Sequence, residues 1–281
     1  MTGSERIRIA AAQSPVTLDP ARNGDQIRRL MRSAHEHGAR LIQFPEGALS
    51  GYPAGAHDRS GHVARTATRD ELSSIAELAR ELRLWVVVGG NHALTPPNRP
   101  HNSLYVISDR GEPVDRYDKR RCSSNELENW YTPGFERVVF DVDGFRFGCV
   151  LCIEINFPDL IMEYLDDGVD CVLFSSHSQD PIFDVVMRGH AATNNLWFSV
   201  AVPAHCSEAM PAGVVGPHGY RLGACSADGG ADLVCVDLDR GDPSLDIALN
   251  KARPWRAAAR AGDVYALRRV DDPRSADRAT F

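Results

Sequence analysis

Apolar and polar positions along this chain switch between a period of two and a period near 3.6, and the switching predicts an α/β layered fold. Residues 6–12 set Ile7, Ile9 and Ala11 against Arg6 and Arg8 and then run apolar, as a strand entering a core does. Asp19-Pro20 suits a helix start, and Ile27, Leu30, Met31 and Ala34 recur at helical spacing until Gly38. Residues 41–44 and 85–89 read as short buried strands. Between them, residues 70–84 form an amphipathic helix with Leu72, Ile75, Leu78, Ala79 and Leu82 on one stripe. Residues 103–108 and 114–117 alternate around the turn Asp109-Arg110-Gly111. Residues 138–142 and 145–151 predict a hairpin about Asp143-Gly144. Helices follow at 158–165 and 183–194, and strands at 171–174, 196–202 and 232–238. The segment 122–134 reads as irregular, and the Arg- and Asp-rich residues 261–281 as a C-terminal arm or disordered tail. No repeat or linker divides residues 6–260, which predict one domain.

Composition narrows the classes. With 281 residues, 43% of them hydrophobic, the chain can bury a sizeable core without disulfides or a structural metal, and no metal or cofactor is expected. A net charge of −7 disfavours nucleic acid and anionic membranes as partners. No apolar run approaches the ~20 residues of a membrane span, and residues 1–8 lack the apolar core of a secretory signal. Seven cysteines, an odd number in mostly apolar surroundings, point to a reducing cytoplasm.

Three strand-like runs end on reactive groups. Residues 41–44 lead through Pro45 to Glu46, residues 114–117 through Asp118 to Lys119, and residues 145–151 directly to Cys152. Carboxyl ends of strands are where open α/β sheets hold their chemistry. A thiol attacks a carbonyl or nitrile carbon only as thiolate, so a base is needed, and Glu46 is the candidate. Lys119 suits stabilisation of an oxyanion. Each also has a plain reading: a turn carboxylate, a solvated lysine and a buried structural thiol.

Taken in order, Phe44-Pro45-Glu46, Tyr117-Asp118-Lys119 and residues 148–158 around Cys152 resemble the nitrilase superfamily of carbon–nitrogen hydrolases. Further stretches extend the resemblance over roughly residues 6–260: 8–15, Gly51-Tyr52-Pro53, 101–105, Tyr131-Thr132-Pro133-Gly134 and 188–195. The resemblance implies a four-layer α-β-β-α sandwich, assembled as a homodimer or larger homo-oligomer. It implies a small-molecule amide, N-carbamoyl or nitrile substrate, cleaved through a thioester by a Glu-Lys-Cys triad. Glu46 would be the base, Lys119 the oxyanion stabiliser, Cys152 the nucleophile, and the Ile153 N–H part of the oxyanion hole. A second family glutamate between lysine and cysteine falls on Glu126 or Glu128; we prefer Glu126 and keep Glu128 as a substrate contact. Glu154 is expected to hold the turn by hydrogen bonds.

The chain departs from better-known branches at Ile153, where many members carry Trp or Tyr, so the usual guide to substrate class is lost. His177, after the strand 171–174, is either a substrate contact or a loop histidine satisfied by backbone. Pocket loops are expected at 53–61, 122–129 and 206–219, with a polar character suited to a small amide. Two other classes compete. Cys149 and Cys152 form a CxxC, but residues three apart on a strand face opposite ways, which disfavours redox or zinc roles. A non-catalytic scaffold would not need Glu46, Lys119 and Cys152 together. Within catalysis, amidase or carbamoylase is preferred to nitrilase.

Overall fold

The computed structural model describes residues 5–53 and 61–280, with the backbone alone for 61–65. Strand β1 (Arg6–Ser14) lies at the centre. It runs parallel to β2 (Leu41–Gln43) and antiparallel to β12 (Asp232–Asp239). Beyond β2 follow β3 (Trp85–His92), β4 (His101–Ile107) and β5 (Pro113–Asp118). Only Gln13 and Ser14 pair with β9 (Trp197–Pro203), and through that narrow junction the path continues to β8 (Cys171–Ser175), β7 (Phe145–Leu151) and β6 (Val139–Val142). Strands β10 (Gly213–Val215) and β11 (Arg221–Ala224) extend this half beside β9.

Alternation along the strands creates three apolar layers. Ile7, Ile9, Leu41, Val87 and Leu104 from the first half meet Phe145, Phe147, Leu151, Leu173 and Trp197 from the second, in one core between the sheets. The opposite faces go to helices. Ala10, Ala12, Ile42, Val86 and Val88 pack on α1 (Pro20–Glu36) and α2 (Gly61–Leu82) through Ile27, Met31, Ile75 and Leu78. Val150, Val172, Phe174 and Phe198 pack on α4 (Pro158–Asp166) and α5 (Ile182–Asn194) through Ile161, Tyr164, Phe183 and Met187. The result is the four-layer α-β-β-α sandwich that the resemblance implies.

Local chemistry sets the element ends. The Asp19 carboxylate accepts from the N–H of Ala21 at 3.0 Å, and Pro20 occupies the first turn of α1, where no donor is needed. The Asp143-Gly144 turn has φ of 50° and 84°, the pair of positive values a two-residue hairpin needs, and it closes β6 onto β7 as predicted. Helix α2 starts nine residues earlier than its apolar stripe suggested, because the segment before Asp70 is polar and hides its period. The segment 122–134, read as irregular, contains the helix α3 (Ser124–Asn129). Beyond β12, a π-helical turn (Ile247–Ala252) leads into α6 (Arg253–Ala261), which sequence reading left unassigned. The residues after it carry two exposed single turns, α7 (Asp263–Ala266) and α8 (Pro273–Ala276).

Strand directions decide where the chemistry lies. Since β4 is antiparallel to both β3 and β5, β5 runs the same way as β1, β2, β3, β7, β8 and β9. The segments after β2, β5, β7, β8 and β9 therefore leave from one end of the sandwich. Gly89 on β3 lets the turn after β2 settle there: a Cβ at that position would lie 2.1 Å from the Pro45 carbonyl oxygen and 2.7 Å from the Gly47 nitrogen. At Gly90 the nearest atom would be 3.6 Å away, ordinary contact. Gly89→Ala is therefore expected to cost about 2–3 kcal/mol, while Gly90→Ala stays much nearer wild type. Urea unfolding of the two variants checks this, and equal losses would contradict it.

Candidate functional site

Glu46, Lys119 and Cys152 meet at that shared end. The turn bearing Glu46 is held to the opposite sheet by polar groups with no exposure: Gln43 Nε2 donates to Ser175 Oγ at 3.0 Å, and Ser175 Oγ donates to the Phe44 carbonyl at 2.8 Å. Glu46 is itself 0% exposed. Its Oε1 accepts from Asn102 Nδ2 at 2.7 Å and from Lys119 Nζ at 2.8 Å, while its buried Oε2 has no partner among the described residues. One carboxylate oxygen is thus fixed and the other is free to take a proton.

Lys119 is 1% exposed and donates to both Glu46 and Glu126 at 2.8 Å. Burial works against its charge, but Glu46, Cys152 and Glu126 outweigh it and hold the ammonium well above its ordinary pKa. Two of its three N–H bonds are used, which leaves one for another acceptor. Glu126 is fixed from both sides. Its Oε1 faces Lys119 and accepts from the Tyr52 hydroxyl at 3.2 Å; its Oε2 accepts from the Ser123 N–H at 2.7 Å. The Ser123 hydroxyl caps the Glu126 N–H in return at 3.3 Å, which completes a reciprocal capping box. Burial opposes the Glu126 carboxylate, and Lys119 more than offsets that, so its pKa is lowered. Glu128, retained as a substrate contact in the sequence reading, is instead exposed on the solvent side of α3, because one helical turn cannot point residues two apart at the same partner.

Cys152 follows β7 at φ 48°, a left-handed conformation that a non-glycine residue adopts only under constraint. Glu154 supplies the constraint. Its Oε2 accepts from the Leu151 N–H at 2.7 Å and the Tyr117 hydroxyl at 2.8 Å; its Oε1 accepts from the N–H groups of Arg120 and Arg121 at 2.6 and 2.9 Å. One buried carboxylate thereby ties the cysteine turn to the chain on either side of Lys119. The structural role expected for Glu154 agrees with this geometry. Burial pushes the Cys152 thiol up to about 12; Glu46 adds to the rise, while Lys119, the His177 N–H and the Ser176 hydroxyl oppose it. At neutral pH the thiol is protonated, so it needs a base.

Around this centre Tyr52 stacks on Tyr131 at 6.2 Å and lies 4.9 Å from the His177 ring, with Trp130 edge-on at 6.2 Å. The half-buried Ile153 is the second residue of the short 3₁₀ turn Cys152–Asn156. His177 is partly satisfied by backbone, through the Glu46 main chain, but its Nδ1 is buried with no partner among the described residues. Of the expected pocket loops, residues 54–60 lie outside the described residues.

Sequence reading missed the roles of Asn102 and Tyr52. Both were noted inside family-like stretches, but nothing in their spacing says that they bond to Glu46 and Glu126. The register of Glu126, by contrast, was available from Ser123-Ser124-Asn125-Glu126, an S-x-x-E capping box.

The sequence pattern of the carbon–nitrogen hydrolase family matches residues 8–243. Nitrilase homolog 2 of Dictyostelium discoideum is 23% identical over 184 residues, which span 61% of this chain and 55% of that protein. Omega-amidase NIT2 of Bos taurus is 22% identical over 249 residues, 83% of this chain and 88% of its own. Among solved structures, a mutant of the amidase from Nesterenkonia sp. AN1 in complex with butyramide superposes with a TM-score of 0.75 at 21% identity, covering 94% of this chain and 98% of that one.

The Glu154 network yields a direct expectation. Glu154→Gln turns an amide N–H toward backbone N–H groups, which can only donate, at a cost of about 2–3 kcal/mol. Tyr117→Phe removes one of four donors and costs about 1 kcal/mol. Chemical denaturation measures both, and a Glu154→Gln loss no larger than that of Tyr117→Phe would contradict the network.

Proposed function

Because the chain belongs to the carbon–nitrogen hydrolase family, we propose that it hydrolyses a small aliphatic amide or N-carbamoyl compound through a thioester on Cys152. The observation that carries this reading is the buried Glu46–Lys119–Glu126 cluster set against a thiol at the end of β7. In the proposed reaction the Cys152 sulfur attacks the substrate carbon while Glu46 Oε2 takes the thiol proton. The developing oxyanion lies between the free N–H of Lys119 and the backbone N–H of Ile153. Collapse breaks the carbon–nitrogen bond, and Glu46 returns the proton to the departing ammonia or amine. Water, deprotonated by Glu46, then cleaves the thioester to a carboxylic acid and restores the thiol. Glu126 acts as a positioning residue that keeps Lys119 aimed and charged.

Substrate class is drawn from the site and its relatives together. Tyr52, Trp130, Tyr131 and His177 supply a compact wall of rings with polar edges, suited to a small polar amide. The omega-amidase and the butyramide-bound amidase are relatives named for amide chemistry. The same reading makes the protein a cytoplasmic homo-oligomer. All seven cysteines are free, and the exposed Ile182 and Val185 on α5 offer apolar surface for assembly. Among the described residues no helix is long and apolar enough to cross a membrane.

Ammonia release across a panel of small amides, carbamoyl compounds and nitriles tests the reaction, with mass spectrometry of the quenched protein. The expected outcome is turnover of an amide or carbamoyl compound with an acyl adduct on Cys152. Cys152→Ala should remain folded and lose turnover, and Glu46→Gln and Lys119→Ala should each lose at least about 100-fold in kcat. Turnover of nitriles alone would move the assignment to nitrilase, and undiminished activity in Cys152→Ala would remove the nucleophile.

A further inference from the structure

The loops after β8 and β9 bring together three side chains that the hydrolytic reaction does not require as a set. His177 follows β8, while His205 and Cys206 lie in the 3₁₀ turn Ala204–Cys206 directly after β9. One ligand atom from each lies within 4.8 Å of the other two. The two imidazoles stand edge to face with centroids 5.0 Å apart. No sequence spacing announces the cluster, since His177 joins the His205-Cys206 pair only because β8 and β9 are parallel neighbours.

We propose that His177, His205 and Cys206 form a site for a borderline-soft divalent cation, with zinc the best fit, and that it shares His177 with the wall of the active site. The donor set is two neutral nitrogens and a sulfur, which favours zinc over magnesium or calcium. His177 is already arranged as a ligand: its ring donates to the Glu46 main chain, and its Nδ1 is buried with no partner among the described residues. A metal-bound histidine has the same division of labour, one nitrogen on a backbone carbonyl and the other on the ion. Tetrahedral zinc needs donors about 3.3–3.6 Å apart. His205 is exposed, so rotation of its side chain can close the remaining gap, whereas Cys206 is 1% exposed and fixed. A surface cavity lined by Gln179, His205, Cys206 and Glu208 gives the ion a path in, and its solvent leaves the fourth position to water. Binding replaces the Cys206 proton, so one proton is released per ion bound. The ion would also act on the active site, because the His177 main-chain N–H points at the Cys152 sulfur. Fixing that loop should slow turnover. This coupling rests on the proposed hydrolase reading, whereas binding of the ion does not.

Cobalt(II) tests the site with a readout independent of activity, since a cobalt–thiolate bond has its own charge-transfer absorption. Chelator-stripped protein is expected to bind one cobalt per chain with that band, and Cys152→Ala to keep it. Cys206→Ser should lose the band, and His205→Ala, a surface change that leaves folding intact, should weaken cobalt binding at least tenfold. No band in the wild type, or a band that vanishes in Cys152→Ala and survives in Cys206→Ser, would overturn the site. For the coupling, His205→Ala should keep wild-type turnover without metal and resist zinc inhibition; equal zinc inhibition in both proteins would overturn it.

Discussion

A fully buried ammonium is the constraint around which this end of the molecule is organised. Lys119 cannot keep its charge without water unless compensating charge is fixed beside it. Two carboxylates supply it at 2.8 Å from elements far apart in sequence, the turn after β2 and the short helix α3. With two carboxylates and one ammonium the cluster carries a net negative charge before the thiol is counted. Burial first, with Glu46 adding to it and Lys119 opposing it, keeps Cys152 protonated at rest. In the proposed reaction the thiolate then forms only as Glu46 takes the proton. On that reading the thiol is coupled to Glu46 by electrostatics as well as by position.

The same constraint accounts for features that look unrelated. Asn102 on β4 holds the Glu46 oxygen that Lys119 also bonds, and the other oxygen has no partner among the described residues. Ser123 holds the far oxygen of Glu126, so the near one faces Lys119. Glu154 binds the backbone on both sides of the problem, Leu151 before the cysteine and Arg120 and Arg121 after the lysine. Its hydrogen bonds hold a left-handed Cys152 that would otherwise relax. In each case polar hydrogen bonds link one segment of the site to another. The strands provide the common end, and these polar links supply the finer placement.

Much of the architecture was legible because burial imposes periodicity. The alternation of β1, the apolar runs of β2 and β3 and the Asp143-Gly144 hairpin each follow from which face meets which layer. The convergence of Glu46, Lys119 and Cys152 was legible too, since each follows the end of a strand-like run. What escaped was whatever depends on contacts between distant segments. Asn102 sits in an ordinary strand until β4 is laid beside β3 and the Glu46 turn. Tyr52 acquires its role only when α3 turns Glu126 toward it. Helix α3 is six residues long, too short for a hydrophobic period, although its capping box was visible. His177, His205 and Cys206 illustrate the same limit, because parallel pairing of β8 and β9 makes neighbours of residues that sequence keeps apart.

The dependence on Lys119 is tested most directly by a double-mutant cycle in stability, built from Lys119→Met, Glu126→Gln and their combination and read by urea unfolding. If the buried charges support one another, Lys119→Met should cost about 3–5 kcal/mol. The double variant should then be more stable than the sum of the single losses predicts, by at least about 1 kcal/mol. Strict additivity would show that Lys119 and Glu126 stand side by side without depending on each other, and would contradict the account.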